Sequence, residues 1–311
     1  MLITVFTPTY NRAHLLPRLY ESLCRQSFKD FEWVVVDDGS TDGTRTLFEE
    51  SSAIFHDETE EQENSVLKHF KEGNGISSIR YFHQENGGKH RAINRGVKEA
   101  KGELFFIADS DDWLPDDALS VVADYYEEIK GNQNFAGVCG LDGTEDGRII
   151  GSGLTEPVVD GSSLYIRNHL GVTGDMKEVF RTEVLRAFPF PEIQGERFCP
   201  EVLLWNRIAS SYKLRYFNKI IYLVEYQADG ITSGIVRARM QSPIASMMTY
   251  AEMTCYKDVP LAQKVKAAIN YWRFRFCKKG NRDIPCMAWY WNVVMPLGWL
   301  MHKRDKAHML N

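Results

Sequence analysis

The sequence predicts an α/β fold: a doubly wound, mainly parallel sheet followed by a C-terminal helical extension. Through the first 140 residues, short apolar runs alternate with helical patterns, the order found in parallel sheets with right-handed crossovers. Each apolar run ends in a polar turn rich in Asp, Asn or Gly. Because sheets of this class bind ligands beyond the carboxyl ends of their strands, we expect these turns to meet in one cleft.

Local patterns predict the individual elements. Buried apolar runs bounded by turn residues predict strands at 2–7, 31–36, 79–83, 103–108 and 135–141. Apolar residues at helical spacing predict helices between them at 14–26, 42–51, 88–101 and 116–130. The second half predicts helices at 160–168, 177–187, 201–211, 241–256 and 261–279, and a strand at 220–226. Residues 53–75, rich in Glu, Asn and Gly, predict an exposed and partly helical insertion.

The composition is that of an ordinary globular protein, with 311 residues, 44% hydrophobic and 25% charged. A net charge of −5 argues against general nucleic-acid binding. The six cysteines form no C-x-x-C pair and no zinc-like spacing, which favours reduced thiols. The N-terminus enters a strand pattern directly, without a signal peptide, so we expect a cytoplasmic protein.

The C-terminal region differs in charge from the rest of the chain. Residues 257–306 hold eleven Lys and Arg and three Asp and Glu, a balance of +8, which leaves −13 on residues 1–256. Residues 284–301 combine an apolar run with Trp289, Tyr290, Trp291 and Trp299. This pattern favours an anchor on the inner face of the cell membrane; helices packed on the body, or a spanning segment weakened by two prolines, are the alternatives.

Acidic clusters follow two of the predicted strands. Asp109, Asp111 and Asp112 crowd three like charges into four positions, which is unfavourable unless a cation relieves it. A D-x-D pair can hold a hard divalent cation together with phosphate oxygens and water, whereas a solvated turn or helix cap is the simpler interpretation. Asp37 and Asp38 are read either as a strand-to-helix turn or as the acceptor for a nucleotide base.

Four motifs in order, "VFTPTYNR", "VVVDDGSTDGT", "NGGKHRAINRG" and "FIADSDDWL", resemble those of family 2 nucleotide-sugar glycosyltransferases. These are inverting enzymes with the Rossmann-like glycosyltransferase-A fold. The resemblance is close over residues 2–115 and weaker to about residue 235. It implies a catalytic domain at 1–235, with a nucleotide-sugar half at 1–115 and an acceptor half at 116–235, and an extension at 236–311.

The resemblance also implies roles for individual residues on the donor side. Thr7, Pro8 and Tyr10 match positions that line the base pocket, and Asp38 or Asp37 matches the carboxylate that holds the base.

The remaining donor positions concern the sugar and the diphosphate. Lys89 matches a residue near the base, ribose or diphosphate, and Asp109 one that contacts ribose or sugar. Asp111 matches the ligand of a Mn²⁺ or Mg²⁺ ion, with Asp112 in support.

The general base of the family commonly stands in "E-D-x-x-L-W", which "CPEVLLW" matches imperfectly. Glu201 occupies the position of the base, and Pro200 replaces the usual Glu. Glu201 is otherwise read as a first-turn residue favoured by the helix dipole. Asp175 is the rival base or an acceptor-site residue, and Glu196 is also assigned to the acceptor region.

The resemblance thus predicts a metal-dependent transferase that moves a sugar, with UDP favoured as the carrier, to a hydroxyl of a saccharide or lipid-linked acceptor in cell-surface polysaccharide or glycoconjugate synthesis. A polyprenyl-phosphate glycosyltransferase, whose acceptor needs no base, and a non-catalytic nucleotide-sugar-binding module are the alternatives. A dinucleotide oxidoreductase is disfavoured because no G-x-G-x-x-G follows the first strand. A processive synthase is disfavoured because Q-x-x-R-W is absent.

Overall fold

The computed structural model describes residues 1–50, 54–57, 75–225 and 231–310, so most of the predicted insertion lies outside the described residues. The chain forms two compact units. The first, here called the sheet unit, comprises Met1–Ser162, Val172–Pro189 and Ser211–Tyr226. The second, the helical unit, comprises Ser163–Gly171, Phe190–Ser210 and Gln227–Asn311.

The described strands form a single nine-stranded sheet in the order β3-β4-β2-β1-β5-β8-β6-β9-β7. In chain order they are β1 Ile3–Thr9, β2 Phe31–Asp37, β3 Ile54–Asp57, β4 Ser78–His83, β5 Leu104–Ile107, β6 Phe135–Gly143, β7 Val158–Gly161, β8 Met176–Arg181 and β9 Lys213–Leu223. Only β7 and β8 run against the others, which confirms the mainly parallel sheet.

The second half contains the errors of the sequence prediction. The predicted helix at 177–187 is wrong over its first part, where β8 runs antiparallel between β5 and β6, and only α6 (Thr182–Ala187) is helical. Pairing on both sides of β8 outweighs a local pattern that suits either element. Likewise β9 begins at Lys213 rather than at residue 220, and β7 precedes the short helix α5 (Ser163–Asn168).

Helices pack on the sheet through their apolar faces. Those of the sheet unit, besides α6, are α1 Leu16–Arg25, α2 Thr44–Glu50, α3 Lys89–Glu99 and α4 Ala118–Glu127. Leu16, Leu19 and Leu23 recur at helical spacing on α1 and are buried in the core beneath the sheet. On α3, a Cβ at Gly96 would lie 2.1 Å from the Phe6 ring, so only glycine lets this helix approach β1 so closely.

The helical unit consists of short helices around a small apolar core. Besides α5 they are α7 Glu201–Ala209, α8 Ile231–Gln241, α9 Pro243–Met253, α10 Leu261–Arg275, a 3-10 helix Trp289–Val294 and α11 Met295–Leu310. Met247 of α9 packs with Tyr271 and Phe274 of α10. Within the described ranges, no helix is both long and apolar enough to cross a bilayer.

A buried ion pair links two strands of the sheet unit. Both guanidinium nitrogens Nε and Nη2 of Arg80 (β4) donate to Glu32 (β2), at 3.0 and 2.6 Å. The other Glu32 oxygen accepts from the Thr4 hydroxyl at 2.6 Å and from the Lys101 backbone amide at 2.7 Å. Glu32 is fully buried and Arg80 is 5% exposed, so each charge depends on the other for compensation.

Replacing Glu32 by Gln is expected to lower the free energy of unfolding by roughly 3 kcal/mol, because Arg80 keeps its buried charge and loses its nearer counter-ion, with Glu99 remaining at 3.9 Å. Urea denaturation measures the loss. Asp116→Asn is the matched acid-to-amide control, since the Arg25–Asp116 pair is exposed and its loss should cost under about 1 kcal/mol. Equal effects of the two substitutions would contradict this account.

Candidate active site

The ends of β1, β2, β4 and β5 meet at one edge of the sheet, here called the carboxyl edge. These strands are parallel neighbours, so their carboxyl ends must lie side by side. The backbone amide of Asp38 donates to the Thr9 carbonyl at 2.8 Å, and that of Gln84 to the Asp37 carbonyl at 2.9 Å. The four polar turns singled out in the sequence therefore converge.

Asp38 binds the loop that follows β4. One carboxylate oxygen accepts from the Gln84 side chain at 2.8 Å and from the Gly87 amide at 2.9 Å, and the other from the Gly88 amide at 2.7 Å. Gly39, with φ +83°, lies so close that a Cβ would be 2.9 Å from the Asn86 nitrogen. Asp38 thus holds the Gly-rich loop in place, a role that the sequence did not reveal.

Asp37 is buried and structural. Its carboxylate accepts from the Ser40 amide at 2.8 Å and from the Tyr81 hydroxyl in a short hydrogen bond. Both oxygens are engaged inside the sheet unit. Of the two aspartates that the sequence could not separate, Asp38 is the one that lies in the loop region of the carboxyl edge.

The segment predicted to line the base pocket is mostly interior. Thr7 is fully buried, and its hydroxyl accepts a hydrogen bond from the Trp33 indole at 2.9 Å. Pro8 is also buried, whereas the Tyr10 ring is 49% exposed. Thr9, two residues after Thr7 and so on the same face of β1, has a buried hydroxyl with no hydrogen-bond partner among the described residues. Thr9 was missed, although the period-2 pattern could have indicated it.

Lys89 joins the Gly-rich loop to the acidic cluster. It is the first residue of α3, directly after Gly88, and its Nζ lies 2.7 Å from the Asp109 carboxylate. Asp38 therefore holds the loop whose last residue, Gly88, precedes Lys89, and Lys89 in turn pairs with Asp109. Asp38 and the D-x-D cluster lie on the same side of the sheet unit, as the sequence predicted.

The three aspartates after β5 differ in their electrostatic environment. Burial raises the pKa of Asp109, but the charges of Lys89 and Lys177 outweigh this and lower it overall. Burial and the Asp109 charge raise the pKa of Asp111, and the same two causes raise that of Asp112 to about 7. Asp109 is therefore an anion at neutral pH, and the other two carboxylates resist ionisation in the absence of a further cation.

Two residues that the sequence reasoning missed support this cluster. The Tyr222 hydroxyl, at the end of β9, accepts from the Asp109 amide at 2.7 Å and hydrogen-bonds to Asp112. Lys177, near the start of β8, places its Nζ 3.3 Å from the centroid of the Tyr222 ring. Because β8 is antiparallel to β5, its first residues lie at the carboxyl edge, which no local sequence signal indicated.

The loop that carries Asp111 is held from α1. Arg18 donates from Nη2 to the Asp111 carbonyl at 2.7 Å, and its guanidinium carbon lies 3.8 Å from the centroid of the Trp113 ring. The Nη1 atom of Arg18 forms an ion pair with the Glu225 carboxylate at 2.6 Å. The Asp111 carboxylate itself receives no hydrogen bond or ion pair from another described residue, so its oxygens stay available to a ligand.

The three acceptor-side candidates fall in different places. Glu201 is partly exposed at the start of α7, in the helical unit. Asp175 is exposed and directly precedes β8, so it lies at the carboxyl edge of the sheet unit. Glu196 is buried, and its two oxygens accept from the Ile244 and Ala245 amides at 2.7 and 2.9 Å. Glu196 therefore caps the start of α9, and its carboxylate is engaged with backbone inside the helical unit.

If a metal ion binds at the carboxyl edge, few protein side chains can serve as its ligands. Among the described residues, no three His, Cys, Asp or Glu side chains converge in a way that could hold a metal ion. The carboxylate oxygens of Asp111 and Asp112 are the hard donors that Mg²⁺ and Mn²⁺ prefer, and such ions commonly take the rest of their shell from phosphate and water. The residues therefore fit an ion that arrives with a phosphorylated ligand.

Comparison with known proteins gives consistent results. The chain is 29% identical over 228 residues to Glycosyltransferase GlyA of Streptococcus pneumoniae, covering 71% of this chain and 28% of that protein. It is 27% identical over 239 residues to a Campylobacter jejuni protein named GalNAc(5)-diNAcBac-PP-undecaprenol beta-1,3-glucosyltransferase, covering 75% of this chain and 67% of that protein. The chain thus spans under a third of the pneumococcal relative's length.

A solved structure shares the fold. Staphylococcus aureus TarS 1-349, crystallised in complex with UDP-GlcNAc, superposes with a TM-score of 0.58 at 18% identity, covering 98% of this chain and 88% of that one. The family model "Glycosyl transferase family 2" matches residues 4–140, the segment that supplies Asp38, Lys89 and the D-x-D cluster. Over this segment the chain therefore matches glycosyltransferase family 2, in agreement with the two relatives that are named as glycosyltransferases.

Proposed function

We propose that the chain transfers a sugar from a nucleoside diphosphate, with inversion, to a hydroxyl of a saccharide or lipid-linked acceptor. One observation carries the proposal: the Gly-rich loop held by Asp38, the Lys89–Asp109 pair and the available Asp111 carboxylate share one edge of the sheet unit. This edge combines positive side chains, which suit a diphosphate, with carboxylates that suit sugar hydroxyls and a divalent cation.

The donor is proposed to be a UDP-sugar. Tyr10 offers an exposed aromatic ring on which a base can stack, and Thr9 offers a buried hydroxyl that has no partner within the described part of the chain. The Asp38 carboxylate already accepts three hydrogen bonds, which leaves it one lone-pair direction for a ring N–H such as that of uracil. The TarS crystal structure with UDP-GlcNAc supports this choice of donor class.

The cation is proposed to be Mn²⁺ or Mg²⁺, held by Asp111 with Asp112 in support. When bound, such an ion offsets the negative charge of the departing nucleoside diphosphate. Lys89 and Lys177 add positive charge at the same edge, and Tyr222 fixes the backbone of Asp109 and the carboxylate of Asp112. These groups hold the acidic loop in one conformation, so that the loop does not have to rearrange during the reaction.

The acceptor is proposed to be activated by Glu201. A carboxylate at the start of α7 can take the proton of an acceptor hydroxyl, whose oxygen then attacks the anomeric carbon as the nucleotide departs from the opposite face. Asp175, at the carboxyl edge, is the second candidate for this proton. The name of the Campylobacter relative, which includes an undecaprenol-linked saccharide, supports a lipid-linked acceptor and a role in glycoconjugate synthesis.

Donor binding can be tested by thermal shift with nucleoside diphosphates. We expect UDP with Mn²⁺ to stabilise the protein by about 2.7 kcal/mol at a hundredfold excess over its dissociation constant, by mass action. Asp111→Asn should fold at least as stably as wild type without the ion, because the raised pKa of Asp111 shows that the folded state disfavours the charge, and it should lose most of the manganese-dependent part of the shift. A similar shift with every nucleotide, or a manganese effect unchanged in the variant, would contradict the assignment.

The raised pKa of Asp112 predicts a pH-dependent stability. Between pH 3.8 and about 7 the folded state keeps a proton that the unfolded chain loses, so this group lowers stability as the pH rises through that range. Without divalent cations, Asp112→Asn should therefore be more stable than wild type near about pH 8, by at most about 4 kcal/mol, and the difference should shrink towards about pH 5. Chemical denaturation at both values measures it; a difference that does not depend on pH would argue against the raised pKa.

The role of Glu201 is tested by Glu201→Gln. We expect turnover to fall roughly a hundredfold or more, with the UDP-induced thermal shift unchanged, because only proton removal is lost. Glu183→Gln is a matched control: Glu183 is a first-turn acid of α6, so the same helix-dipole contribution is removed without loss of turnover. If Glu201→Gln keeps full activity and Asp175→Asn loses it, the general base is Asp175 and not Glu201. Full activity in both would favour a polyprenyl-phosphate acceptor.

A further inference from the structure

An apolar surface stands out on the helical unit. Fifteen large apolar side chains are exposed in the described part of the chain, and seven of them lie within residues 289–300. These seven, here called the aromatic face, are Trp289, Tyr290, Val293, Met295, Leu297, Trp299 and Leu300. Trp289 and Val293 are 80% and 79% exposed, so large solvent-facing apolar groups are concentrated in this short segment rather than scattered over the surface.

The opposite side of the same segment is firmly packed. Trp291 and Val294 are buried against Ala268 of α10, and a Cβ at Gly298 would lie 2.4 Å from that of Trp272. Farther along α11, Asp305 is 7% exposed and forms a bidentate ion pair with Arg273, one of whose contacts is 2.8 Å. The segment therefore already has its core-facing side, and the aromatic face is a second apolar side that the helical unit does not cover.

The charges around the aromatic face are basic. Lys303, Arg304 and Lys306 follow it on α11 and are exposed. The one acid among them, Asp305, is buried and neutralised by Arg273. The preceding turn adds Lys278, Lys279 and Arg282, against the single exposed acid Asp283. In sequence, the aromatic face is thus flanked on both sides by an excess of positive charge.

We propose that the aromatic face docks on the surface of an anionic lipid bilayer, with the 3-10 helix and α11 lying in the plane of the interface. Trp and Tyr side chains favour the headgroup region, where the ring is apolar and its N–H or O–H stays hydrated. Exposed Val and Leu between them would enter the upper acyl region, and the basic residues would bind lipid phosphates.

A lipid surface explains the pattern better than a second copy of the chain. A second copy of this face would offer no acidic cluster to Lys303, Arg304 and Lys306, because the residues that flank the face on both sides in sequence carry an excess of positive charge, and like charges repel. Anionic headgroups instead complement these basic residues. The inference does not depend on glycosyl transfer, because it concerns binding of the free protein.

The test is cosedimentation of the full chain with vesicles of phosphatidylcholine alone or with about one third phosphatidylglycerol. We expect at least about tenfold stronger binding to the anionic vesicles, weakened by salt. Combined substitution of Trp289, Val293 and Leu300 by Ser should reduce this binding at least about tenfold. The matched control replaces three other exposed apolar residues of the helical unit, Tyr165, Leu170 and Leu261, by Ser and should bind like wild type.

Further measurements separate the contribution of the basic residues to vesicle binding from that of the Trp289 ring. Replacing Lys303, Arg304 and Lys306 by Gln should remove the preference for anionic vesicles. Brominated lipids should quench the fluorescence of wild type, with part of the quenching lost in Trp289→Phe, one of seven tryptophans. Circular dichroism confirms that each variant folds. Failure of wild type to bind anionic vesicles, equal losses in test and control triples, or a dimer in light scattering that only the aromatic-face triple dissociates, would overturn the proposal.

Discussion

The candidate site depends on how the protein accommodates crowded carboxylates at the end of β5. Like charges in a partly buried place repel strongly, and the chain meets this with two lysines and a tyrosine hydroxyl brought from other strands and from α3. Asp109 is kept ionised by Lys89 and Lys177, whereas burial and the Asp109 charge keep the pKa values of Asp111 and Asp112 raised. These electrostatics connect the fold to the proposed binding of a divalent cation.

Carboxylates elsewhere in the chain organise backbone instead of chemistry. Asp38 satisfies two loop amides, Asp37 an amide and a tyrosine, and Glu196 the first amides of α9. In each case a buried carboxylate replaces water as the acceptor for backbone groups that would otherwise lack a partner. For Asp38 the same contacts set the position of Lys89, so the structural role of this side chain bears directly on the proposed binding of the donor.

The helical unit shows how one segment can serve two surfaces. Residues 289–310 present Trp291, Val294, Gly298 and the paired Asp305 to α10, and further large apolar groups to solvent. Arg273 and Asp305 remove each other's charge inside, which leaves the exposed lysines and Arg304 to determine the electrostatic character outside. The charge contrast between the two regions of the sequence thus has a local structural counterpart in the helical unit.

The sequence alone determined the fold class and the meeting of four motifs, because strand pattern, helix pattern and parallel order are local properties with one common geometric consequence. It also indicated Asp109, Asp111 and Lys89, which stand in short motifs. Only the tertiary structure decided that β8 runs antiparallel beside β5, that Lys177 and Tyr222 support the acidic cluster, and that Glu196 caps a helix. Those facts depend on contacts between residues far apart in the chain, and local periodicity and motif spacing carry no information about such contacts.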